Sequence, residues 1–282
     1  MKPVMVAALV MAFATPVRAD VTADVTKDYT AFVTSVAAGK VPAGVEVFIA
    51  PETDTVIEGG LSDDFKTELP KPTVSNVTVV TSKSGSSAWL VADLAGVVPN
   101  RDDKRSAGTL RTSAFLVHDK TGWNVRAADW SVAVADQKLP DDIGCGNLDH
   151  QWMIQDRGKV PKGLEPQVTA ALEALHKGKL ASVLSDDKRA IAIGSAPKDR
   201  FVGGAAIKKV FKKWQLGIVY VPGTGPLPAV AGTGPDDDLM WFVTPVLAPH
   251  ELCTEYRTFF VLQREGSDWK IVHQHYSISV HY

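Results

Sequence analysis

The chain has 282 residues, of which 45% are hydrophobic and 22% charged, and its formal net charge is -2. These values are typical of a globular protein, and the length fits roughly two domains of about 130 residues each. Because the net charge is small and no block of Lys and Arg occurs, the sequence argues against a nucleic-acid partner.

The first residues have the pattern of a cleaved export signal. Lys2 precedes an apolar run over residues 4–14, which is too short to span a bilayer, and a small-residue cleavage site follows at residues 17–19. We therefore predict a signal peptide over residues 1–19 and a periplasmic or secreted mature protein. A buried N-terminal helix is the alternative. No later stretch approaches the roughly 18 apolar residues of a membrane span, so no membrane partner is expected.

Residues 20–139 are predicted to form the first of two domains. Apolar residues at helical spacing predict a helix over residues 25–38, and a short second helix follows over residues 61–67. Strands are predicted over residues 45–50, 74–81, 88–94, 110–118 and 123–134. Residues 140–161 contain three glycines and a pair of aspartates, and we predict that they are a linker.

Residues 162–282 are predicted to repeat this order. The helix over residues 165–184 contains Gly178, which weakens or ends it, and a second helix covers residues 205–214. A polar turn is predicted over residues 195–204, and strands over residues 190–194, 216–221, 239–247, 251–264 and 269–280. The loop over residues 222–238 is too long for a hairpin turn, which indicates a lid or a disordered insertion.

The two halves share a repeated sequence. Residues 111–131 align without a gap with residues 257–277, at an offset of 146 residues. The alignment matches Arg, Thr, Leu, Trp and Ser, and it places Trp130 against Tyr276. A repeat of this length indicates two tandem domains rather than a solenoid of short units. Helices segregated from an antiparallel sheet indicate an α+β fold, with the sheet curved around the helices.

Two stretches of the second half resemble the SnoaL-like family. Residues 192–204 and the helix after them are similar to the early part of such a domain, and residues 259–277 are similar to its final hairpin. The resemblance implies a nuclear transport factor 2-like fold, a cone whose curved sheet wraps a long helix and encloses a pocket. It covers nearly all of the second half and, more weakly, a degenerate first domain. Because this fold hosts isomerases, cyclases and non-catalytic binders, function has to be argued from the site.

Two histidines on the last predicted strand are candidates for acid–base catalysis. His273 and His275 are two residues apart, so their side chains point to the same face, and we expect Trp269 and Ile271 to share it. In the resembling family this strand often borders the pocket. Two imidazoles on one wall can act as acid and base near neutral pH. Histidines that only hydrogen-bond within the fold are the alternative.

The repeat places Asp129 of the first half at the position of His275. On a strand this carboxylate is either a buried general base with a raised pKa or an ordinary strand-end carboxylate. The histidines are also common metal ligands, but a site needs further ligands, for which His281, Tyr256 and Glu255 are the candidates. Because no complete set is evident, we predict neither a metal nor a cofactor.

Four aromatic residues of the second half are predicted to line a ligand pocket, with core packing as the alternative. They are Trp241, Tyr256, Trp269 and Tyr276. Arg111 and Arg257 begin corresponding strands, and we expect surface or interface guanidinium groups that pair with carboxylates. The only cysteines are Cys145 and Cys253, and an oxidising compartment permits a disulfide between them; two small buried hydrophobes are the alternative.

These observations support two classes of function. We expect an exported small-molecule-binding protein with an apolar ligand in a cone pocket, because no complete catalytic set is evident. The alternative is an isomerase, lyase or cyclase that uses His273, His275 or Asp129, and an enclosed pocket around these groups would favour it. Because related domains commonly dimerise through the outer face of the sheet, we expect the two domains to form a pseudo-dimer within one chain.

Overall fold

The computed structural model describes residues 21–49, 56–57, 60–61, 72–98, 106–133, 160–214, 229–248 and 254–278. The predicted signal peptide, the predicted strand over residues 216–221 and nearly all of the predicted linker lie outside the described residues. The same holds for Cys145, Cys253 and His281.

The described residues form four helices and thirteen strands. The helices are α1 (Val21–Ala37), α2 (Glu165–His176), α3 (Leu180–Val183) and α4 (Gly204–Trp214). The first seven strands are β1 (Glu46–Ile49), β2 (Val56–Ile57), β3 (Gly60–Leu61), β4 (Thr73–Thr81), β5 (Ser87–Val98), β6 (Ser106–Asp119) and β7 (Gly122–Val132). The other six are β8 (Ile191–Ile193), β9 (Arg200–Val202), β10 (Val230–Thr233), β11 (Leu239–Ala248), β12 (Thr254–Glu265) and β13 (Asp268–Ile278).

Two large sheets share an order of five strands, and the second sheet has one more strand, β9, at its edge. The first runs β1-β7-β6-β5-β4, and the second runs β9-β8-β13-β12-β11-β10. In each sheet the first strand of the half lies parallel to the last one: β1 pairs with β7, and β8 pairs with β13. The remaining pairs of both sheets are antiparallel. The predicted α+β class is confirmed, because a few helices pack on mainly antiparallel sheets.

The hairpins β6–β7 and β12–β13 also pair in equivalent registers. Arg111 lies opposite Ser131, and Arg257 lies opposite Ser277. The register shifts between Phe115 and Leu116 in one hairpin and between Val261 and Leu262 in the other, which are again 146 residues apart. A β-bulge is a specific local feature of a strand pair, so its recurrence at one place extends the likeness from the sequence to the backbone.

The sheets have two apolar faces, and each face packs against a different layer. One cluster packs α1 on the first sheet, a second cluster packs α2 and α4 on the second sheet, and a third contains residues of both sheets. Alternation along β12 produces this arrangement, because Phe260 and Leu262 face the helices whereas Phe259 and Val261 face the other sheet. The two sheets therefore pack face to face, with the helices outside.

Four predicted elements differ from the structure. The helix over residues 165–184 is two helices, because Gly178 adopts φ +64° and ends the first of them. The predicted turn over residues 195–204 contains β9, which pairs with β8, and the predicted loop over residues 222–238 contains β10, which pairs with β11. Leu61, predicted to begin a helix, pairs with Val56 in a short hairpin. The edge strands were missed because segments of two to four residues carry too weak an alternation pattern to be recognised.

Gly204, the first residue of α4, permits a close backbone approach. An ideal Cβ at this position would lie 2.0 Å from the carbonyl oxygen of Ser185 and 2.8 Å from Cα of Asp186. We expect Gly204→Ala to lower the free energy of unfolding by about 2–3 kcal/mol, because backbone atoms have to move. Urea unfolding measures the change. Gly163→Ala is the control, since nothing lies within 4 Å of its Cβ position, and equal effects of both substitutions would contradict the clash.

Within the described ranges, no helix is long and apolar enough to cross a membrane.

Candidate functional site

A β-bulge in β13 determines which residues lie on the same face of the sheet as His273 and His275. Val261 lies opposite His273 and Leu262 lies opposite Ile271, so Val272 is an extra residue. The bulge reverses the alternation: Ile271 and Trp269 pack on the helix side, whereas His273 and His275 face the first sheet. The prediction that Trp269 and Ile271 share a face with the histidines is therefore wrong. Strict alternation holds only in a strand without a bulge.

Seven polar residues lie between the two sheets, and we call them the interface polar cluster. They are Ser113, Asp129, Ser131, Arg257, His273, His275 and Ser277. All seven are buried, and Asp129, His273 and His275 are each 0% exposed. Buried polar groups are costly unless they have hydrogen-bond partners, so the contacts within the cluster determine whether it is stable.

An ion pair joins the two halves at one end of the cluster. Nη2 of Arg257 lies 2.7 Å from Oδ1 of Asp129. Ser277 donates a hydrogen bond of 2.8 Å to the other carboxylate oxygen. Burial raises the pKa of Asp129, whereas Arg257 and Ser277 oppose this shift by stabilising the carboxylate. The expected pairing of Arg257 with a carboxylate is confirmed, and its partner comes from the other half of the chain.

The two imidazoles belong to one chain of hydrogen bonds. Nε2 of His275 lies 2.7 Å from Oγ of Ser131, and its Nδ1 lies 2.9 Å from Oγ of Ser113. The hydroxyl of Ser113 also lies 2.7 Å from Nε2 of His273, whose Nδ1 is 2.9 Å from the carbonyl oxygen of Ile191. Because that carbonyl only accepts, Nδ1 of His273 carries the proton and Nε2 accepts from Ser113.

This assignment fixes the direction of the remaining bonds. Since the proton of Ser113 goes to His273, its oxygen accepts from Nδ1 of His275, and Nε2 of His275 accepts from Ser131. The same Nδ1 also lies 3.3 Å from Oδ2 of Asp129. In this arrangement both histidines are neutral, with the proton on Nδ1, which is the state that their burial favours. Burial, more than any charge, lowers the pKa of His273 to about 3 and that of His275 well below its usual range.

The order Asp129, His275, Ser131 resembles the connectivity of a nucleophilic triad. The carboxylate lies near Nδ1 and the serine near Nε2, as in serine hydrolases. A nucleophile, however, needs space for a substrate carbonyl about 3 Å away. All three residues are 0% exposed and lie between two packed sheets. In this structure the arrangement provides buried hydrogen bonds without access for a substrate.

Arg111 makes a different contact from its repeat partner Arg257. Its two terminal nitrogens each donate a hydrogen bond of 3.0 Å, one to the carbonyl oxygen of Ser195 and one to that of Ala196. The guanidinium group of Arg257 in turn lies 5.7 Å from the ring centre of Phe48 in the first half. Each arginine therefore reaches across to the end of the first strand of the opposite half, β8 or β1. Among the described residues, the guanidinium group of Arg111 thus donates to backbone carbonyls, and Asp199, Asp129 and Asp93 act on its charge from nearby.

The predicted pocket aromatics are divided between two faces. Tyr256, Trp269 and Tyr276 lie on the helix side of the second sheet, in the cluster with α2 and α4. Trp241 lies on the opposite face, stacked with Phe259 at 6.2 Å between the sheets. It therefore cannot line the same pocket, because odd-numbered residues of β11 face the first sheet.

Phenol and amide groups also lie on the helix side. The hydroxyl of Tyr276 donates a hydrogen bond of 2.8 Å to Oε1 of Gln274. Burial raises the pKa of this phenol, so it is neutral. Rings of Phe211, Tyr256 and Phe260 surround Tyr276 at 6.1–6.3 Å between centres. This face combines aromatic surface with a small number of polar groups, the usual character of a small-molecule site.

A comparison of the two halves identifies a further residue on this face. In the first half, the hydroxyl of Tyr29 on α1 hydrogen-bonds Thr112 and accepts a bond of 3.0 Å from Nε1 of Trp130. The equivalents of Thr112 and Trp130 are Thr258 and Tyr276, which lie opposite each other. Thr258 is completely buried, and its hydroxyl has no hydrogen-bond partner among the described residues.

Sequence reasoning did not select Thr258 or Ser113 as site residues. The signal for Thr258 was the repeat itself, which matches it with Thr112. Nothing in the repeat indicated Ser113, because Phe259 occupies the corresponding position. For metal binding, the described part of the chain brings together no group of three or more His, Cys, Asp or Glu. Tyr256, one of the predicted additional ligands, lies on the face opposite the histidines.

Solved structures of NTF2-like proteins are similar to this chain. One from Cytophaga hutchinsonii has 12% identity and a TM-score of 0.31, over 40% of this chain and 98% of its own. One from Pseudomonas putida, of unknown function, has 16% identity and a TM-score of 0.29, over 41% and 83%. A protein of unknown function from Pectobacterium atrosepticum has 18% identity and a TM-score of 0.31, over 43% and 94%.

No curated protein matches the chain. Residues 166–281 match the family model described as a SnoaL-like domain. This match covers the part of the chain in which the sequence resembled that family, and it does not extend over the first half. Residues 166–281 are therefore a SnoaL-like domain.

Proposed function

We propose that this chain is an exported, non-catalytic binding protein that holds a small apolar molecule on the helix side of its SnoaL-like domain. The observation that carries the proposal is the buried hydroxyl of Thr258, which has no protein partner among the described residues. An unsatisfied buried hydroxyl costs about 1–3 kcal/mol, so a ligand that bonds to it recovers part of this cost, about 1 kcal/mol net. The proposed export rests on the pattern of residues 1–19.

The surroundings of Thr258 favour a largely apolar ligand with one hydrogen-bonding group. Tyr276 and Gln274 already bond each other, whereas the neighbouring rings of Tyr256 and Phe260 supply aromatic contact. In the first half the phenol of Tyr29 occupies the equivalent position between Thr112 and Trp130. In the first half a side chain of the protein therefore occupies the position that a ligand would take, so we assign binding to the second half.

We further infer that the chain is a tandem of two SnoaL-like domains that pair as a pseudo-dimer. The shared strand order, the equivalent bulges and the reciprocal contacts of Arg111 and Arg257 support this arrangement. A two-fold interface is expected to use the same patch on both partners in this way. Light scattering of the full chain is expected to give the mass of a monomer, since both sheet faces are already covered.

Catalysis by His273, His275 or Asp129 is the less favoured candidate. Each of the three is fully buried between the sheets and hydrogen-bonds to groups of the protein. General acid–base catalysis needs a proton-transfer group within about 3 Å of the substrate. No observation places a substrate there, so an isomerase, lyase or cyclase activity has no specific support.

Thr258→Val tests the binding proposal. It removes the hydroxyl and nearly keeps the shape, so we expect ligand affinity to fall about fivefold to tenfold, the net value of one neutral hydrogen bond. We expect no loss of stability in the ligand-free protein, because no protein bond is removed. Native mass spectrometry measures the occupancy of the bound small molecule. It uses the full chain purified from the periplasm or from the medium into which it is secreted.

Thr112→Val is the matched control. It removes the bond to Tyr29, so the free energy of unfolding is expected to fall by about 1 kcal/mol while ligand occupancy stays unchanged. The proposal is wrong if wild-type protein carries no small molecule, or if Thr112→Val reduces occupancy as much as Thr258→Val does.

A further inference from the structure

We propose that the interface polar cluster is an acid-sensitive latch, which holds the two sheets together while His273 and His275 are neutral and releases them when the histidines are protonated. The inference is independent of the proposed binding function. It rests on the bond directions within the cluster, on its burial, and on its location between the two halves.

The run of hydrogen bonds from Ser131 to the carbonyl of Ile191 is complete only when both imidazoles are neutral. Ser131 donates to His275, His275 donates to Ser113, Ser113 donates to His273, and His273 donates to the carbonyl of Ile191. An added proton on His273 would turn the acceptor facing Ser113 into a donor. Ser113 would then accept from both histidines, and its own proton would have no acceptor at this position. Protonation of His275 creates the same conflict with Ser131.

The charges around the histidines do not favour protonation of the pair. Arg200 on β9 acts against an imidazolium charge at His273. Arg111 on β6, Arg257 on β12 and His273 itself act against one at His275. Asp129 on β7 is the facing carboxylate, 3.3 Å from Nδ1 of His275, but its Oδ1 is paired with Arg257. Asp93 and Asp199 add negative charge near Arg111, but Asp129 is the carboxylate that lies 3.3 Å from an imidazole.

Opening of the interface relieves this conflict. Trp89 stacks on His273 at 5.0 Å, and the apolar cluster between the sheets surrounds both groups, so a proton reaches the histidines only when the sheets separate locally. In the open state each imidazole regains an ordinary affinity for protons, with a pKa of about 6.5. Protonation then favours the open state as pH falls below this value, and neutral pH favours the closed state.

The two histidines together determine how strongly pH changes the opening equilibrium, because the effects of their protonation multiply. If neither is protonated in the closed state, the equilibrium constant for opening rises about 70-fold between pH 7 and pH 5.5. Amide hydrogen exchange of the full chain, corrected for the intrinsic pH dependence, measures this change in β6, β7, β12 and β13. We expect protection in these strands to fall by that factor.

The double variant His273→Gln/His275→Gln isolates the histidines. Glutamine places an acceptor near the position of each Nε2 and does not titrate, so we expect the pH dependence to shrink to less than threefold, even if overall stability is lower. His176→Gln removes an exposed histidine and is expected to behave as wild type. An undiminished pH dependence in the double variant, or none in wild type, overturns the proposal.

A measurement on wild-type protein covers the case in which the double variant does not fold. Nitrogen NMR of labelled histidine is expected to show both imidazoles neutral, with the proton on Nδ1, at pH 7. Their protonation should coincide with the loss of exchange protection as pH falls. Titration of either histidine near pH 6.5 while the strands remain protected would exclude the latch.

Discussion

Asp129→Ala is expected to lower the free energy of unfolding by about 3–5 kcal/mol, because it removes one partner of a buried ion pair and leaves the other charge behind. Arg257 is 3% exposed, and its Nη2 lies 2.7 Å from the carboxylate that would be lost. Ser277 loses its acceptor as well. Urea unfolding at pH 7 measures the change.

Two further variants separate the ion pair from a general effect of mutation. Asp129→Leu combined with Arg257→Met removes both charges, so we expect it to be less destabilising than Asp129→Ala. Glu173→Ala breaks an exposed pair with Lys177 on α2 and is expected to change stability little. A loss below about 1 kcal/mol for Asp129→Ala would mean that the cluster does not hold the two halves together.

Trp89→Ala is expected to have an effect of similar size, about 3–5 kcal/mol, because it leaves a large cavity between two sheets that are each held by their own hydrogen bonds. Trp89 is 0% exposed, belongs to the apolar cluster between the sheets and stacks on His273. The loss of this ring also gives water access to the histidines. Urea unfolding measures the change in stability, and hydrogen exchange in β13 measures the access.

Trp89→Phe separates the contribution of aromatic packing to stability from that of the indole N–H group. Nε1 of Trp89 has no hydrogen-bond partner among the described residues, so its removal is not expected to cost a hydrogen bond. We expect phenylalanine to retain most of the stability, with a loss of about 1–2 kcal/mol from the smaller ring. If phenylalanine were as harmful as alanine, an interaction of the N–H group rather than packing would be decisive.

Strong local patterns made much of the fold predictable. The hairpin β12–β13 was predicted because long runs of alternating residues flank a short polar turn, and α4 because its apolar residues recur at helical spacing. The SnoaL-like domain was recognisable from the same stretches. The strands β9 and β10 were not predicted, since three or four residues next to glycines and prolines carry too weak a pattern by themselves.

The candidate site was only half predictable. His273, His275 and Asp129 were correctly grouped as the positions where the two halves differ, but their surroundings were assigned to the wrong face. A bulge of one residue moved Trp269 and Ile271 to the helix side, and bulges have no reliable signature in a single sequence. Ser113, which bridges the histidines, belongs to the other half of the chain and became apparent only in the structure.

The sequence by itself determined the secondary structure of the long elements, the repeat, and the family of residues 166–281, because these depend on patterns within a short stretch of chain. The tertiary structure decided which sheet face meets which layer, and it thereby placed the histidines and Asp129 in a buried interface between the sheets. Charge, burial and hydrogen-bond direction depend on residues about 130–160 positions apart. Local pattern cannot specify contacts over such separations.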